Sequence, residues 1–216
     1  MMEALVGFAM QLLGNKGLHE AWEEFFCWTE AAPLDLKSPL MQLFQPFFLF
    51  SWELDAELLG LDASLGEKTL AECFLASNAG LLSKEERQFL EAANRRPFSF
   101  YEILQVKPGE GFSCRDVFLS SEVTVKEVDG SRDVEVGDIL YGSLYEAEGA
   151  LQPLAMTPFK FPNALREPLS AARQQVCEAL SKSTLSGEDL LDYEYELRFL
   201  YMEFVRPLLQ PPLPQS

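Results

Sequence analysis

Residues 97–119 read PFSFYEILQVKPGEGFSCRDVFL, and residues 123–146 read VTVKEVDGSRDVEVGDILYGSLYE. Within the span 97–162 these two runs show the only sustained strand pattern of the sequence, because apolar and polar residues alternate between short turn signals. Phe98 and Phe100 fall on one face of an extended chain, and Tyr101 and Ile103 fall on the other. This pattern predicts a strand that is buried on one face and partly covered on the other.

Turn residues divide this span into about five predicted strands. The sequence Pro-Gly-Glu-Gly at 108–111 supplies turn chemistry between the first strand and a second at 112–119. Asp129-Gly130, flanked by valines, predicts a hairpin between strands at 123–128 and 134–136. A last strand is predicted at 139–146. Short strands joined by short turns favour a small antiparallel β-barrel of the SH3-like or OB-like kind.

Helical sequence precedes this barrel. The pattern predicts helices at 2–13 and 18–29, separated by Gly14-Asn15-Lys16-Gly17. The aromatic run at 39–52 predicts a helix that Pro46 ends or kinks, with its phenylalanines in the core; an exposed aromatic docking surface is the alternative. Capping-box patterns predict two further helix starts, at Ser64 with Glu67 and at Ser83 with Glu86.

Helical sequence also follows the barrel. Residues 168–182 and 187–205 are periodic, the second run is capped by Ser186 with Asp189, and together they predict an antiparallel helical hairpin. Pro207 is expected to stop the second helix. The fold class is therefore α+β. The expected organisation is a helical region at 1–96, a β-barrel module at 97–161, a helical hairpin at 162–206 and a disordered proline-rich tail at 207–216.

The composition excludes several function classes. The chain of 216 residues has a formal net charge of −17, and acidic residues outnumber basic ones in all three predicted folded regions. A field of this sign disfavours nucleic acid and anionic membrane surfaces as partners. The apolar run near residue 4 lacks the basic start of a signal peptide, so a cytoplasmic location is predicted. The four cysteines are widely separated, which is typical of free thiols.

No recognisable catalytic set is present. His19 is the single histidine, and no nucleophile motif accompanies it, so it is interpreted as a solvated surface residue. Isolated cysteines supply no zinc site, and no cofactor is predicted. Glu188, Asp192 and Glu196 are spaced four apart on one predicted helix face and offer a hard-cation or acid/base site as the alternative to a solvated face.

The predicted binding residues lie in the barrel. Arg115 and Arg132 are rare positive charges there, and their guanidinium groups suit a carboxylate on a ligand; local ion pairs are the alternative. Tyr141 and Tyr145 flank them if their strand face is the outer one. If that face points inward, both tyrosines are core residues.

The barrel region resembles the body of bacterial proteins that carry a C-terminal SEC-C metal-binding motif. The resemblance rests on three motifs: Ser-Phe-Tyr-Glu-Ile-Leu at 99–104, Pro-Gly-Glu-Gly at 108–111 with Arg115-Asp116, and Gly-Asp-Ile-Leu at 137–140, read with the aromatic segment FFLFSWELD at 47–55. It covers about half of the chain. It implies the same helix–barrel–helix layout and names no activity. Since the cysteine cluster of the motif is absent, no zinc ligand carries over.

These observations predict a non-enzymatic cytoplasmic binding or adaptor protein whose partner is another protein. Two other hypotheses are kept. One is a carboxylate- or metal-dependent enzyme that uses the face with Asp192, and the other is single-stranded nucleic-acid binding through the barrel.

Overall fold

Five strands form a closed barrel at the centre of the chain. A computed structural model describes residues 1–27 and 33–209. The strands are β1 (Phe98–Lys107), β2 (Gly111–Asp116), β3 (Glu122–Lys126), β4 (Ile139–Ala147) and β5 (Ala150–Met156), in the order β1-β2-β3-β5-β4. β3 and β5 are parallel, and the other neighbours are antiparallel. The predicted α+β class with a small SH3/OB-like barrel between helical regions is confirmed.

Helices flank the barrel on both sides in sequence. They are α1 (Met2–Phe26), α2 (Met41–Phe50), α3 (Ala56–Leu59), α4 (Leu70–Ser77), α5 (Lys84–Ala93), α6 (Arg166–Leu180), α7 (Gly187–Asp192) and α8 (Glu194–Leu209). Among the helices of residues 1–27 and 33–209, none is both long enough and apolar enough to cross a membrane.

The predicted hairpin at Asp129-Gly130 is wrong. The carboxylate of Glu127 accepts hydrogen bonds from the backbone N–H groups of Asp129 and Gly130, both at 3.0 Å, and a short 3-10 helix, Gly130–Arg132, follows. These local bonds hold the chain in a compact turn, so residues 134–136 form no strand.

The fifth strand is β5 instead. It follows a two-residue turn in which Glu148 and Gly149 have φ values of 53° and 73°, as a type I′ hairpin requires. Pro153 lies inside β5, and a proline argues against a central strand in a sequence pattern. This proline explains why the periodicity did not indicate the strand.

The helical predictions on the N-terminal side are partly confirmed. The break between the first two helices is present as a kink at Gly14, where φ is 59° and ψ is −158°. The predicted helix end at residue 29 lies outside the described residues. α2 continues through Pro46 to Phe50, so of the two expected effects of this proline, an end or a kink, the end does not occur. The capping box at Ser83 with Glu86 is confirmed.

The helix predicted to start at Ser64 begins later, at Leu70. Its cap is Thr69, whose side chain forms a capping box with Glu72. Ser64 itself lies in a short 3-10 helix, Ala63–Leu65. The residues that follow pair with Leu54, whose N–H donates to the Lys68 carbonyl at 2.9 Å and whose carbonyl accepts from the Glu67 N–H at 3.0 Å. The tertiary pairing therefore outweighs the local capping signal.

The helices on the C-terminal side differ from the prediction in their limits. The capping box of Ser186 with Asp189 is confirmed, but the predicted single helix is divided at Tyr193 into α7 and α8. α8 passes through Pro207 and ends at Leu209, so Pro207 does not stop it. The rest of the predicted tail, residues 210–216, lies outside the described part of the chain.

The larger hydrophobic core is shared by the helices and the barrel. Phe98 and Phe100 of β1 and Tyr141 of β4 point away from the barrel axis into the cluster that contains the helical aromatics. The opposite face of these strands fills the barrel with a smaller cluster: Tyr101, Ile103, Phe112, Cys114, Val125, Leu140 and Leu144. β1 is thus buried on both faces along residues 98–103, more completely than the alternation predicted.

Candidate functional site

The barrel has a seam where β3 and β5 meet. Within the described residues the two strands have one register pair, Val125 with Leu151. β3 ends at Lys126, whereas β5 continues to Met156. The chain after Lys126 turns away into the 3-10 helix, and the second half of β5 is left without a neighbouring strand on that side.

A cleft of about 690 Å³ lies beside this half of β5; we call it the seam cleft. Its floor reaches the barrel interior, because Phe112 and Leu140, which are 4% and 3% exposed, line it together with Met156. Gln42 and Gln45 of α2 form one wall. The opposite rim is the β3–β4 connection. The cleft therefore combines an apolar floor with polar sides, as ligand sites commonly do.

The rim of the seam cleft is acidic. Glu127, Asp129 and Asp133 line it, against one basic lining residue, Lys160. The ammonium group of Lys160 donates to the backbone carbonyl of Asp133, so this lysine does not neutralise any of the three carboxylates directly. Asp129 has 90% of its side chain exposed and lies 3.5 Å from Arg132. Carboxylates of this exposure attract a cationic group at the entrance of the cleft.

Arg115, which was predicted to bind a ligand carboxylate, forms ion pairs with two glutamates of the protein itself. Its guanidinium group lies 2.8 Å from Glu122 and 3.5 Å from Glu102. The strand register explains this contact, since Glu102, Arg115 and Glu122 stand opposite one another on β1, β2 and β3. The arrangement matches the local ion-pair alternative, and a ligand carboxylate would have to compete with these partners.

The structure does not bring Arg132 and Arg115 to one site. Arg132 lies beside Gly109 in the β1–β2 turn and is 3.5 Å from Asp129. Arg115 is four residues along β2 from Gly111, which follows that turn. Four residues of strand span about 13 Å. Each guanidinium group is also held by different carboxylates, so the two arginines form separate sites and not one site for a single acidic group.

Tyr141 is a core residue, which corrects its place in the predicted binding surface. Its strand face is the outer face of the barrel, and α8 covers that face. The ring stacks on Tyr201 at a centroid distance of 4.4 Å and is 1% exposed. Burial raises the pKa of Tyr141 well above its ordinary value, so its hydroxyl stays protonated.

Tyr145 lies elsewhere, in a groove of about 630 Å³ between α5 and the β4–β5 hairpin. The β4–β5 register shifts between Ser143 and Leu144, and the ring of Tyr145 packs edge-on against Phe89 at 5.6 Å. Its hydroxyl contacts Gln152 at 3.4 Å. Tyr145 is half-buried, and it flanks neither of the two barrel arginines described above.

The Tyr141 hydroxyl is the buried side-chain polar atom without a hydrogen-bond partner among residues 1–27 and 33–209. An unpaired buried donor costs about 1–3 kcal/mol. We therefore expect Tyr141→Phe to raise the free energy of unfolding by about 1 kcal/mol, measured by urea denaturation.

Tyr201→Phe is the matched control for this prediction. The Tyr201 hydroxyl is paired with Thr157 Oγ1 at 2.8 Å, so its removal should lower the free energy of unfolding by about 1 kcal/mol. A loss of stability in Tyr141→Phe as well would show that its hydroxyl has a partner in solution.

A buried polar cluster that the sequence pattern did not reveal lies close to Tyr141. Arg198 of α8 is 2% exposed, and its guanidinium group binds both carboxylate oxygens of Glu194 at 2.8 and 3.0 Å. It also donates to the Glu24 carbonyl at the end of α1 and to Cys27 Sγ at 3.2 Å. Burial favours the neutral form of Arg198, but the charge of Glu194 outweighs it and keeps the pKa of Arg198 above its ordinary value.

Cys27 is the nucleophile candidate of this cluster. Burial raises the pKa of its thiol to about 11, although the neighbouring Arg198 charge acts in the opposite direction. A thiol of this pKa is protonated at neutral pH and is a weak nucleophile. The cluster is therefore better suited to holding α1 against α8 than to covalent catalysis. The only sequence signal for it is the i, i+4 spacing of Glu194 and Arg198.

The alternative carboxylate site is not assembled. Glu188 and Asp192 belong to α7, and Glu196 belongs to α8, so the helix break at Tyr193 interrupts their predicted common face. In the part of the chain that the structure describes, no group of three or more His, Cys, Asp or Glu side chains is placed to hold a metal ion. The three side chains are exposed, as a solvated face requires.

A smaller groove of about 340 Å³ lies on the outer surface of β1, β2 and β3. Lys107 and Lys126 line it with Gln105, Ser113 and Thr124, and Glu110 lies among them. The groove is mixed in charge and has less volume than the seam cleft. It offers the barrel surface that the nucleic-acid hypothesis would use.

Comparison with protein-family models, curated proteins and solved structures finds no match for this chain.

Proposed function

We propose that this chain is a protein-binding module that takes a basic, partly apolar segment of a partner protein into the seam cleft. The observation that carries the proposal is the pairing of an apolar floor, formed by Phe112, Leu140 and Met156, with an acidic rim. Apolar contact supplies affinity in such a site, and the charge of the rim selects a cationic partner and speeds its association.

The hypotheses on location, family and binding residues have different amounts of support. A cytoplasmic adaptor role and kinship with the SEC-C-associated bacterial group remain proposals, supported by the composition and by the motifs around Tyr101 and Gly109. Binding through Arg115 has less support, because its guanidinium group already pairs with Glu122 and Glu102. On the acidic rim of the seam cleft, Asp129 lies 3.5 Å from Arg132 and Glu127 accepts backbone hydrogen bonds from the β3–β4 connection. Among residues 1–27 and 33–209, no rim carboxylate is held between two charged partners as Arg115 is.

Reversing the charge of the rim should abolish the preference for basic peptides. An array of short synthetic peptides, varied in charge and apolar content, is probed with the wild-type chain and with Asp129→Lys/Asp133→Lys. The wild type is expected to retain peptides that mix Lys or Arg with apolar residues. The double variant should bind them at least tenfold more weakly, which corresponds to about 1.4 kcal/mol.

Glu57→Lys/Glu91→Lys is the matched control, because it changes the net charge equally at exposed positions outside the cleft. Its binding should equal that of the wild type. If both double variants bind the peptides equally weakly, the loss of affinity would be explained by net charge alone and not by the rim of the cleft. If the wild type selects acidic peptides, the binding site would be at Arg115 and Arg132. If it retains single-stranded RNA and no peptide, the nucleic-acid hypothesis would be favoured.

A further inference from the structure

Within residues 1–27 and 33–209, the edge of β5 that lines the seam cleft has no neighbouring strand beyond Leu151. Thr157 N–H donates to the Tyr141 carbonyl at 2.8 Å, and Ser143 stands opposite Ala155 in the β4–β5 ladder. Because hydrogen-bonded and non-bonded pairs alternate in an antiparallel ladder, Met156 turns its N–H and C=O away from β4. They point to the side where β3 has already ended.

Leu154 adds to this edge. The register passes from Ser143 with Ala155 to Leu144 with Pro153, so Leu154 is an extra, bulged residue without a partner on β4. The pairing of β3 with β5 stops at Leu151. Pro153 has no N–H to leave unpaired, and a proline is tolerated where a strand is an edge. Leu154 and Met156 are both only partly buried.

We infer that a partner segment binds this cleft as an extended strand, hydrogen-bonded to β5 along Leu154 and Met156. This inference rests on the proposed function and specifies how the partner is held. Strand addition to an exposed sheet edge takes its affinity from main-chain hydrogen bonds and its specificity from alternate side chains.

The residues that line the cleft indicate which side chains the partner strand carries. Side chains of a strand point alternately to opposite faces. One set would face the apolar floor at Phe112 and Leu140, which suits Val, Ile or Leu. The other set would face the rim at Asp129 and Asp133, which suits Lys or Arg. The occupant is therefore a short segment in which basic and branched apolar residues alternate.

The probe is the peptide acetyl-Lys-Val-Lys-Val-Lys-Val-amide with two backbone N-methylated forms. One form is methylated at the lysine nitrogens and the other at the valine nitrogens. In a bound strand, alternate N–H groups point to opposite edges, so only one form loses the hydrogen bonds to β5. Both forms carry the same conformational effect of methylation, and each is the control for the other.

Binding is measured by isothermal titration calorimetry with the full chain. One methylated form is expected to bind at least tenfold more weakly than the parent peptide, and the other within about threefold of it. Amide hydrogen exchange provides a second measurement: the amides of Leu154 and Met156 should become protected when the parent peptide is added.

The outcomes separate this inference from the proposed function. If both methylated forms bind as the parent does, and Asp129→Lys/Asp133→Lys still weakens all three, the cleft binds basic segments but not by strand addition. Unchanged exchange at Leu154 and Met156 in the peptide complex would also overturn strand addition. Failure of the wild type to bind any basic peptide, here and on the array, would overturn both.

Discussion

Replacing Arg198 with methionine is expected to lower the free energy of unfolding by about 3–5 kcal/mol, the range found when one partner of a buried ion pair is removed. The Arg198 side chain is 2% exposed and that of Glu194 is 17% exposed. Without the guanidinium group, the Glu194 carboxylate loses its buried hydrogen-bond partner and the Glu24 carbonyl loses a donor. The ring of Phe47, 4.4 Å from the guanidinium carbon, loses a cation–π contact.

Guanidinium denaturation followed by tryptophan fluorescence measures this loss. Arg206→Met is the matched control on the same helix, because the Arg206–Glu203 pair is at 3.4 Å and its side chains are 44% and 43% exposed. The control should change stability by less than about 1 kcal/mol. Adding Glu194→Leu to Arg198→Met should recover part of the loss. A change below 1 kcal/mol in Arg198→Met itself would show that the cluster is solvated.

Phe44→Ala is expected to cost about 3–5 kcal/mol, as for other fully buried phenylalanines. Phe44 of α2 is 1% exposed and lies at the centre of the aromatic cluster. Its ring centroid is 4.8 Å from Trp22, 5.5 Å from Phe25 and 5.7 Å from Phe48. The substitution leaves a cavity that rings on three sides cannot fill without moving the α1–α2 contact.

The control for this substitution is Phe199→Ala. Phe199 is 42% exposed on α8 and stacks on Tyr195 at 6.5 Å, so its removal should cost less than about 1 kcal/mol. Thermal and chemical denaturation should rank the two variants in the same order. Equal effects would mean that the aromatic run at 39–52 is not the main core of the helical region.

The fold was predictable wherever local chemistry and tertiary contacts agree. The barrel strands at 98–107 and 139–147, the break at Gly14 and the capping boxes at Ser83 and Ser186 all follow from patterns within a few residues. In each case the conformation that the local sequence favours is also compatible with the tertiary contacts of that segment, so the local pattern predicts the structure.

The errors occur where other contacts outweigh the pattern that was recognised. Ser64 carries a capping pattern, but it lies inside a short 3-10 helix capped by Asp62, and the pairing with Leu54 that follows delays the start of α4 to Leu70. Asp129-Gly130 has the composition of a hairpin, but the Glu127 carboxylate binds its N–H groups first. Propensity is a weak signal beside contacts of this kind.

The candidate site was less predictable than the fold. The seam cleft brings together α2, the β3–β4 connection and the second half of β5, which are far apart in sequence. Periodicity left open whether the face of β4 with Tyr141 is the outer or the inner one, and only the position of α8 shows that this outer face is covered. Periodicity within one strand carries no information about a helix that packs on it from another region.

The contact between Arg198 and the Glu24 carbonyl joins residues 174 positions apart, and it therefore has a consequence for biosynthesis. Translation proceeds at about 5–20 residues per second, so α1 waits roughly 10–35 s on the ribosome before α8 can emerge and meet it. During that interval the end of α1 and the ring of Phe47 lack their buried cation. A prematurely terminated chain without α8 would keep both exposed and present them to chaperones and proteases.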